Sequence, residues 1–308
     1  MLIQITNNND EIMHKHVIET EDIIRLDKYI RKVVSNVPQS LIERLLRKGK
    51  ILLNNKKVQA NIRVKGGEVI HISNITCGIN NSIRHENKLS SSILQIILNN
   101  IIDENEHLIA INKPSGISVQ GGSKVKISIN DILHKIKDGE NLRIVHRLDK
   151  DTSGVLLLAR SLNAARIIAE EFRNHRVLKR YFALTYGIPQ NNSGEINYPI
   201  EQKKYIGDQV IICKKPAKTL FNIIRRFNNN IALLELQPIT GRKHQLRNHM
   251  SYINCPIIGD TKNINGKHLL NSHLQLHAHS LSITLHNKEF TFTSPIPHSM
   301  QTVIDTLL

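Results

Sequence analysis

The chain has 308 residues, enough for two domains with separate cores. Lys and Arg total 42 against 26 Asp and Glu, a net charge of +16 that points to a polyanionic partner, nucleic acid or an anionic membrane, although a composition rich in Asn, Ile and Lys adds to the excess. No apolar run approaches the ~20 residues of a membrane span. Residues 1–10 lack an apolar leader, and Cys77, Cys213 and Cys255 are too scattered for a disulfide framework or a zinc site. A membrane location is therefore not expected, and a reducing cytoplasm is.

Residues 1–20 read as a lead-in with no sustained period. A helix is expected from Arg25, with Leu26, Ile30, Val33 and Val34 on one face and Arg25, Lys28, Arg31 and Lys32 on the others. Residues 36–40 contain a proline and read as a turn. A second helix puts Leu41, Ile42, Leu45 and Leu46 inward and Arg44, Arg47 and Lys48 outward, and Gly49 stops it. Ile51–Leu53, a polar turn and Val58 suggest a hairpin; Gly66-Gly67 and Val69-Ile70 give another turn and strand. Arg44, Arg47, Lys48 and Lys50 gather at one turn. Such charges are usually a solvated helix face, but their tight grouping favours phosphate contact. Residues 77–92, rich in Asn and Ser, read as a linker between a module at 21–76 and a larger domain at 93–308.

The larger domain begins with an apolar strand at Leu108–Ile111 that ends in the turn Asn112-Lys113-Pro114-Ser115-Gly116. Gly116 to Ser123 has the glycine spacing of a phosphate-binding loop, but Gly122 stands where the lysine must be, which excludes a nucleotide triphosphatase. A helix is expected at Ile129–Lys137. His146–Gly154 then reads as strand and sharp turn, followed by a short buried strand, Val155–Ala159. In an extended chain Arg147 and Asp149 share a face. They are either an exposed ion pair at a turn or the carboxylate and guanidinium of a site. Ser153 lacks the preceding glycine of a nucleophile elbow, so a serine hydrolase is set aside.

Ala164–Phe172 has helical spacing, and Leu178–Gly187 reads as a strand with Tyr181, Ala183 and Thr185 on one face. The pairs Lys203-Lys204, Lys214-Lys215 and Arg225-Arg226 add positive charge. A strand at Ile231–Leu236 runs through Gly241 into a helix that starts near Leu246 and Arg247. His244, His249, His277 and His279 have no carboxylate or cysteine at ligand spacing and read as structural, not as metal ligands.

The stretch His146-Arg147-Leu148-Asp149, with Thr152-Ser153-Gly154, resembles the motif of the RluA-type pseudouridine synthases, which modify ribosomal RNA. Asn112–Gly116 with Gly121-Gly122-Ser123 resembles the first motif of that family, in the form of its synthase C branch, which is named for the large ribosomal particle. Lys179, Tyr181 and Ala183 match a third pattern, and Thr240-Gly241-Arg242-Lys243-His244-Gln245-Leu246-Arg247 a fourth, with Asn248 where Val is common. Arg25-Leu26-Asp27 and Arg47–Ile51 resemble an RNA-binding module named after a small-subunit ribosomal protein, S4. The likeness covers nearly all of residues 23–297.

The resemblance implies an α+β pseudouridine synthase fold, a long mixed and mostly antiparallel sheet flanked by helices, with a small α-α-β module in front. It implies that Asp149 is the catalytic carboxylate, that Arg247 pairs with it, and that Tyr181 stacks on the target base and assists loss of the C5 proton. Tyr186 misses the required spacing. Leu246 would pack on the base, Arg147 would fill the gap left by the flipped nucleotide, and Arg242 and His146 would join substrate binding. Arg25, Arg44, Arg47, Lys48 and Lys50 would hold RNA. The implied partner is large-subunit ribosomal RNA or its assembly precursor, and the implied state a monomer. Isomerisation conserves every atom and so calls for no redox cofactor, ATP or metal. Whether the Asp attacks the base, attacks the sugar or removes a sugar proton stays open. A non-catalytic RNA-binding assembly factor is the alternative; the joint presence of Asp149, Tyr181 and Arg247 favours the enzyme.

Overall fold

In the computed structural model the described residues are 3–6, 12–33, 39–73, 90–121, 125, 127–206, 209–261 and 273–308. Two compact units divide the chain: Met1–Gln95 with Gln120–Ile136, and Ile96–Val119 with Lys137–Leu308. The first unit thus includes a segment that the sequence assigns to the larger domain.

In the first unit, α1 (Leu26–Val33) and α2 (Gln39–Lys48) close over an antiparallel sheet. Its strand order is β1 (Ile3–Thr6), β2 (Ile12–Val17), β6 (Val69–Ser73) and β4 (Ile51–Leu53). A small ladder joins β3 (Ile24–Arg25) to β5 (Arg63–Val64). Leu26, Tyr29 and Ile30 meet Ile42, Leu46, Ile51, Leu53 and Ile70 in the core. Three expectations change here. The lead-in contains two strands, because β2 completes the ladder of β6 from Val17↔Val69 to Met13↔Ser73. Ile51–Leu53 pairs with β6, and the hairpin expected toward Val58 is reduced to a single bridge, Leu53 with Lys56, across the Asn54-Asn55 turn. Val33 is exposed and Tyr29 is buried, because the Tyr29 hydroxyl has polar partners inside, His16 Nε2 at 3.0 Å and the Glu19 N–H at 2.9 Å. Gln39 and Ser40 already belong to α2; residues 34–38 and the linker up to 89 lie outside the described residues. Helix α3 covers residues 90–98, and α4, Ile129–Ile136, forms where it was expected.

The second unit is built on a ten-stranded sheet. Its main path runs β12 (Ser193–Asn197), β15 (Lys218–Phe227), β16 (Ile231–Pro238), β11 (Leu178–Tyr186), β17 (Leu276–Leu285), β10 (Ser153–Ala159), β8 (Leu108–Lys113), β7 (Ile101–Glu104). Strand β9 (Arg143–Ile144) pairs with β10, and β18 (Lys288–Thr293) with β17. Every ladder is antiparallel except β10 with β17, so the sheet is mixed and mostly antiparallel. All seven residues of β10 are buried, which explains its unbroken apolar run. Gly154 makes the parallel join possible: its φ is 111°, and a Cβ there would lie 2.2 Å from the Ala278 carbonyl oxygen. A separate hairpin, β13 (Ile200–Ile206) with β14 (Gln209–Lys215), stands off the main sheet. Helices α5 (Leu162–Arg173), α6 (Gln245–Tyr252) and α7 (His298–Thr306) pack on the sheet through three apolar clusters. Ser161 caps α5 by accepting the Ala164 N–H at 3.1 Å. Among the described residues no helix is long and apolar enough to cross a membrane.

Candidate active site

The loop between β9 and β10 carries Val145 to Thr152. It belongs to no strand, so no strand face carries Arg147 and Asp149, yet both reach the same cavity wall. The loop is held from below by the turn after β8. Lys113 is fully buried, and its ammonium donates to the carbonyls of Pro114 (2.9 Å), Ile117 (2.9 Å) and Lys150 (3.1 Å). Ser115 Oγ donates to the Asp151 carbonyl at 2.8 Å, and the Gly116 N–H to that of Lys150 at 2.9 Å. The first motif is therefore a clamp on the second. Burial pushes Lys113 down to about 7, against the pull of the Asp151 and Asp149 charges.

His146 faces a structural duty. Its Nε2 accepts the Leu157 N–H at 2.8 Å, and its ring stacks on Phe172 at 4.7 Å. Burial, with the Lys179 charge adding, pushes the imidazole down to about 3. The neutral ring pins the loop to β10 through Nε2, and His146 also lines the cavity. Leu148 is buried, Arg147 is exposed at the cavity, and the Asp149 side chain is 23% exposed.

Helix α6 supplies the opposite wall. Gln245 is its organiser: its Oε1 accepts from Thr240 Oγ1 (2.6 Å) and the Arg242 N–H (3.0 Å), while its Nε2 donates to the Lys218 carbonyl (2.9 Å) and Thr219 Oγ1 (3.0 Å). That fixes the Thr240–His244 turn. His244 sits at φ 55°, a left-handed conformation costly for a residue with a Cβ. The turn brings its Nε2 to 3.7 Å from Asp149 Oδ1. Leu246 and Arg247 follow as the second and third residues of α6, at the helix start where they were expected.

Arg247 differs from expectation in its partner. Its guanidinium makes a two-pronged ion pair with Asp260, Nε to Oδ2 at 3.0 Å and Nη2 to Oδ1, with both side chains buried. Among the described residues it makes no ion pair with Asp149. The physical reason is geometric. Asp260 is fully buried on the turn after Ile257, its N–H bonded to the Ile257 carbonyl at 3.1 Å, and it meets the planar guanidinium fork edge to edge. Asp149 acts on Arg247 only through its field.

A cavity of about 750 Å³ joins these parts. Arg147, Asp149, Tyr181, Arg242, Leu246 and Arg247 all contribute to its wall, as do His146, Lys179 and His244. The volume lies within the roughly 300–1,000 Å³ of small-ligand sites. Tyr181 lies on β11 at a register shift against β17. Burial, then the Asp149 charge, pushes its hydroxyl above the ordinary tyrosine range. The phenol is thus kept neutral, which suits stacking and hydrogen-bond donation. Arg242 donates from Nε to the Pro216 carbonyl at 3.1 Å. Chemically, the arrangement offers one carboxylate, one buried guanidinium and two apolar surfaces to a flat polar ring.

The sequence reading missed three supports: His244, set aside as structural; Gln245; and Asp260. A left-handed residue and a buried amide leave no periodic signal. His277 and His279 are structural as read, both bonded to the Ser294 carbonyl, at 3.3 and 2.9 Å. Among the described residues no group of three or more His, Cys, Asp or Glu is arranged to hold a metal ion. In the first unit, Arg25 is committed to Asp27 at 2.6 Å, Arg47 and Lys48 are exposed at the end of α2, and Arg44 and Lys50 are half-buried.

Comparison with known proteins agrees with this geometry. The profile of the RNA pseudouridylate synthase family matches residues 107–252, and that of the S4 domain matches residues 24–70. The chain is 36% identical to the ribosomal large subunit pseudouridine synthase C of Rickettsia felis, over 89% of this chain and 93% of that one. It is 30% identical to the protein of the same name from Buchnera aphidicola subsp. Baizongia pistaciae, over 99% and 100%. Among solved structures it is similar to human RNA pseudouridylate synthase domain containing 4, with TM-score 0.62 and 28% identity over 71% of this chain and 97% of that one. Human RNA pseudouridylate synthase domain containing 1 shares the fold, with TM-score 0.54 and 23% identity over 68% and 94%. With these matches running from residue 24 to residue 252 and relatives that cover most of its length, the chain belongs to the RNA pseudouridylate synthase family.

Proposed function

We propose that this enzyme isomerises specific uridines of large-subunit ribosomal RNA, or of its assembly precursor, to pseudouridine. The observation that carries the reading is Asp149 at the wall of a cavity roomy enough for a flipped nucleotide, together with Tyr181, Leu246 and Arg247. A uridine inside a stem cannot reach that carboxylate, so it enters flipped out. Arg147, exposed beside the cavity, takes the space it leaves in the stack. Tyr181 and Leu246 hold the two faces of the base. Asp149 performs the covalent or proton-removing step that frees N1, and the base turns and rejoins at C5. Tyr181, at the cavity wall, assists loss of the C5 proton once the new bond has formed. Arg247, held by Asp260 through Nε and Nη2, keeps a fixed N–H edge in the cavity wall to hydrogen-bond the developing anion.

The module at residues 21–76 supplies RNA affinity through Arg47 and Lys48 above all, with Arg44, Lys50 and Arg25 contributing field. The enzyme acts in the cytoplasm as a monomer. The test is a map of pseudouridines in large-subunit ribosomal RNA from cells with and without the gene. Loss of one or more modified positions, restored by the wild-type gene and not by its Asp149→Asn form, is expected; an unchanged map would sink the assignment.

A further inference from the structure

Two tyrosines outside the cavity have no part in the chemistry. Tyr198 and Tyr252 stack face to face, ring centroids 3.8 Å apart and planes 21° off parallel. They are 39% and 55% exposed, and among the described residues they are the only aromatic side chains on the exposed apolar surface. The chain has only six tyrosines, six phenylalanines and no tryptophan, so two rings left in water on each other form a concentrated feature. An aromatic pair of this kind normally seeks burial.

The pair is rigidly mounted beside the cavity. The Tyr198 N–H donates to the Ala217 carbonyl at 3.2 Å, and its carbonyl accepts from His249 Nε2 at 2.9 Å. His249 is fully buried, with Nδ1 on Thr219 Oγ1 at 2.8 Å. Tyr252 closes α6, whose first turn carries Leu246 and Arg247; it lies five positions after Arg247, roughly 8 Å along the axis. The neighbouring residue Pro216 receives the Arg242 guanidinium of the cavity wall. Residues 214–218 thus run from the cavity edge to the tyrosines and expose Lys214 and Lys215 on the way.

We propose that the Tyr198–Tyr252 pair is a stacking platform for a nucleotide that flanks the flipped uridine in single-stranded form. The proposal rests on the RNA-modifying reading and adds the contact that holds the strand at the cavity edge. A base offers a π-face to the outer side of an exposed ring; Lys215 and Arg242 offer charge to the phosphates on either side, while Lys214 and Lys218 are paired with Glu201 and Glu195. Stacking needs no particular base, so the platform supplies affinity and register, while the cavity recognises uridine.

The experiment uses the full chain and a ribosomal RNA oligonucleotide that contains the target uridine, with each flanking nucleotide replaced in turn by an abasic residue. Wild-type turnover of the intact oligonucleotide reads the isomerase assignment; ratios between variants read the platform. Tyr252→Ala is expected to raise KM about tenfold with kcat within about twofold, the size of one base–aromatic stack. An abasic residue at one flanking position should raise the wild-type KM by the same factor and have no further effect on Tyr252→Ala. Tyr252→Trp should keep KM near wild type and place the chain's sole indole at the site. Its emission should be quenched by the intact RNA and not by the RNA abasic at that position. An unchanged KM in Tyr252→Ala, penalties that multiply, or unquenched indole emission with bound RNA would each overturn the platform. So would a dimer seen by sedimentation that Tyr252→Ala dissociates, since the rings would then face a second copy.

Discussion

The two units of the chain handle charge in opposite ways. At the end of α2, Arg47 and Lys48 are exposed, and exposed cations attract phosphates weakly and additively. Around the cavity, Lys113, Arg247 and Asp260 are buried, and each is matched to specific acceptors or donors. A buried charge without its partner is costly, so such groups come in fitted sets, and loss of one member leaves another bare. RNA affinity is therefore divisible among surface cations, whereas the catalytic geometry depends on every member of its set.

Arg247→Lys should break that contrast most visibly if it is false. An ammonium cannot reproduce the two-pronged contact with Asp260, and turnover should fall at least about 100-fold with RNA binding nearly unchanged. Release of label from C5-labelled uridine measures it; near-normal turnover would reduce Arg247 to surface charge. Asp260→Asn comes next. It leaves the buried guanidinium with a neutral partner and should cost about 3–5 kcal/mol of stability in a denaturant titration. A cost under about 1 kcal/mol would mean that the pair is not fixed as described.

Acid provides the third test. Burial pushes His277 down to about 4 from an ordinary 6.5, and its ring is bonded to Ser153 Oγ at 2.9 Å. The folded value lies below the unfolded one, so the unfolded chain takes the proton first as pH falls. The stability linked to His277 is complete above about 6.5 and is lost as pH falls through about 4. At pH 4 the loss should be on the order of 3 kcal/mol. Denaturant titrations between pH 7 and pH 4 should show this slope in wild type and a flatter one in His277→Gln; equal slopes would contradict it.

The smallest effect is expected on the open side. Arg47→Gln with Lys48→Gln should weaken binding to a ribosomal RNA fragment a few-fold and lower the salt slope by roughly 1 to 2, with turnover at saturating RNA unchanged. Substitution is preferred to removal of the module, because residues 120–136 belong to the same unit and would lose their partners. A fall in saturated turnover would show that these cations reach the chemistry after all.

Much of this was legible in the sequence because it is local. Helix faces repeat at 3.6 residues, so α2 and α5 were readable, and the buried run of β10 announces a central strand. The motifs around Asp149 and Arg247 located the cavity for the same reason. What escaped was closed by distant residues. Asp260 meets Arg247 thirteen residues away through a turn, and β2 finds β6 across the whole module. Lys113 reads as a polar residue at the end of a strand, yet the acceptor that ties the loop down lies 37 residues on. Val33 was misjudged because periodicity ranks a tyrosine below a valine for the core, whereas Tyr29 brings its own hydrogen bonds inside.

The most direct measurement compares Asp149→Asn with Asp151→Asn, two neutralising changes in one loop. Both keep shape, and both remove one negative charge near Arg247. Product formation would be followed with C5-labelled ribosomal RNA at saturating concentration, and RNA binding measured in parallel. Asp149→Asn should be inactive, with at least about a 1,000-fold loss, and should bind RNA within a few-fold of wild type. Asp151→Asn should keep substantial turnover. An active Asp149→Asn, or an Asp151→Asn that alone is dead, would place the reacting carboxylate elsewhere and contradict the site.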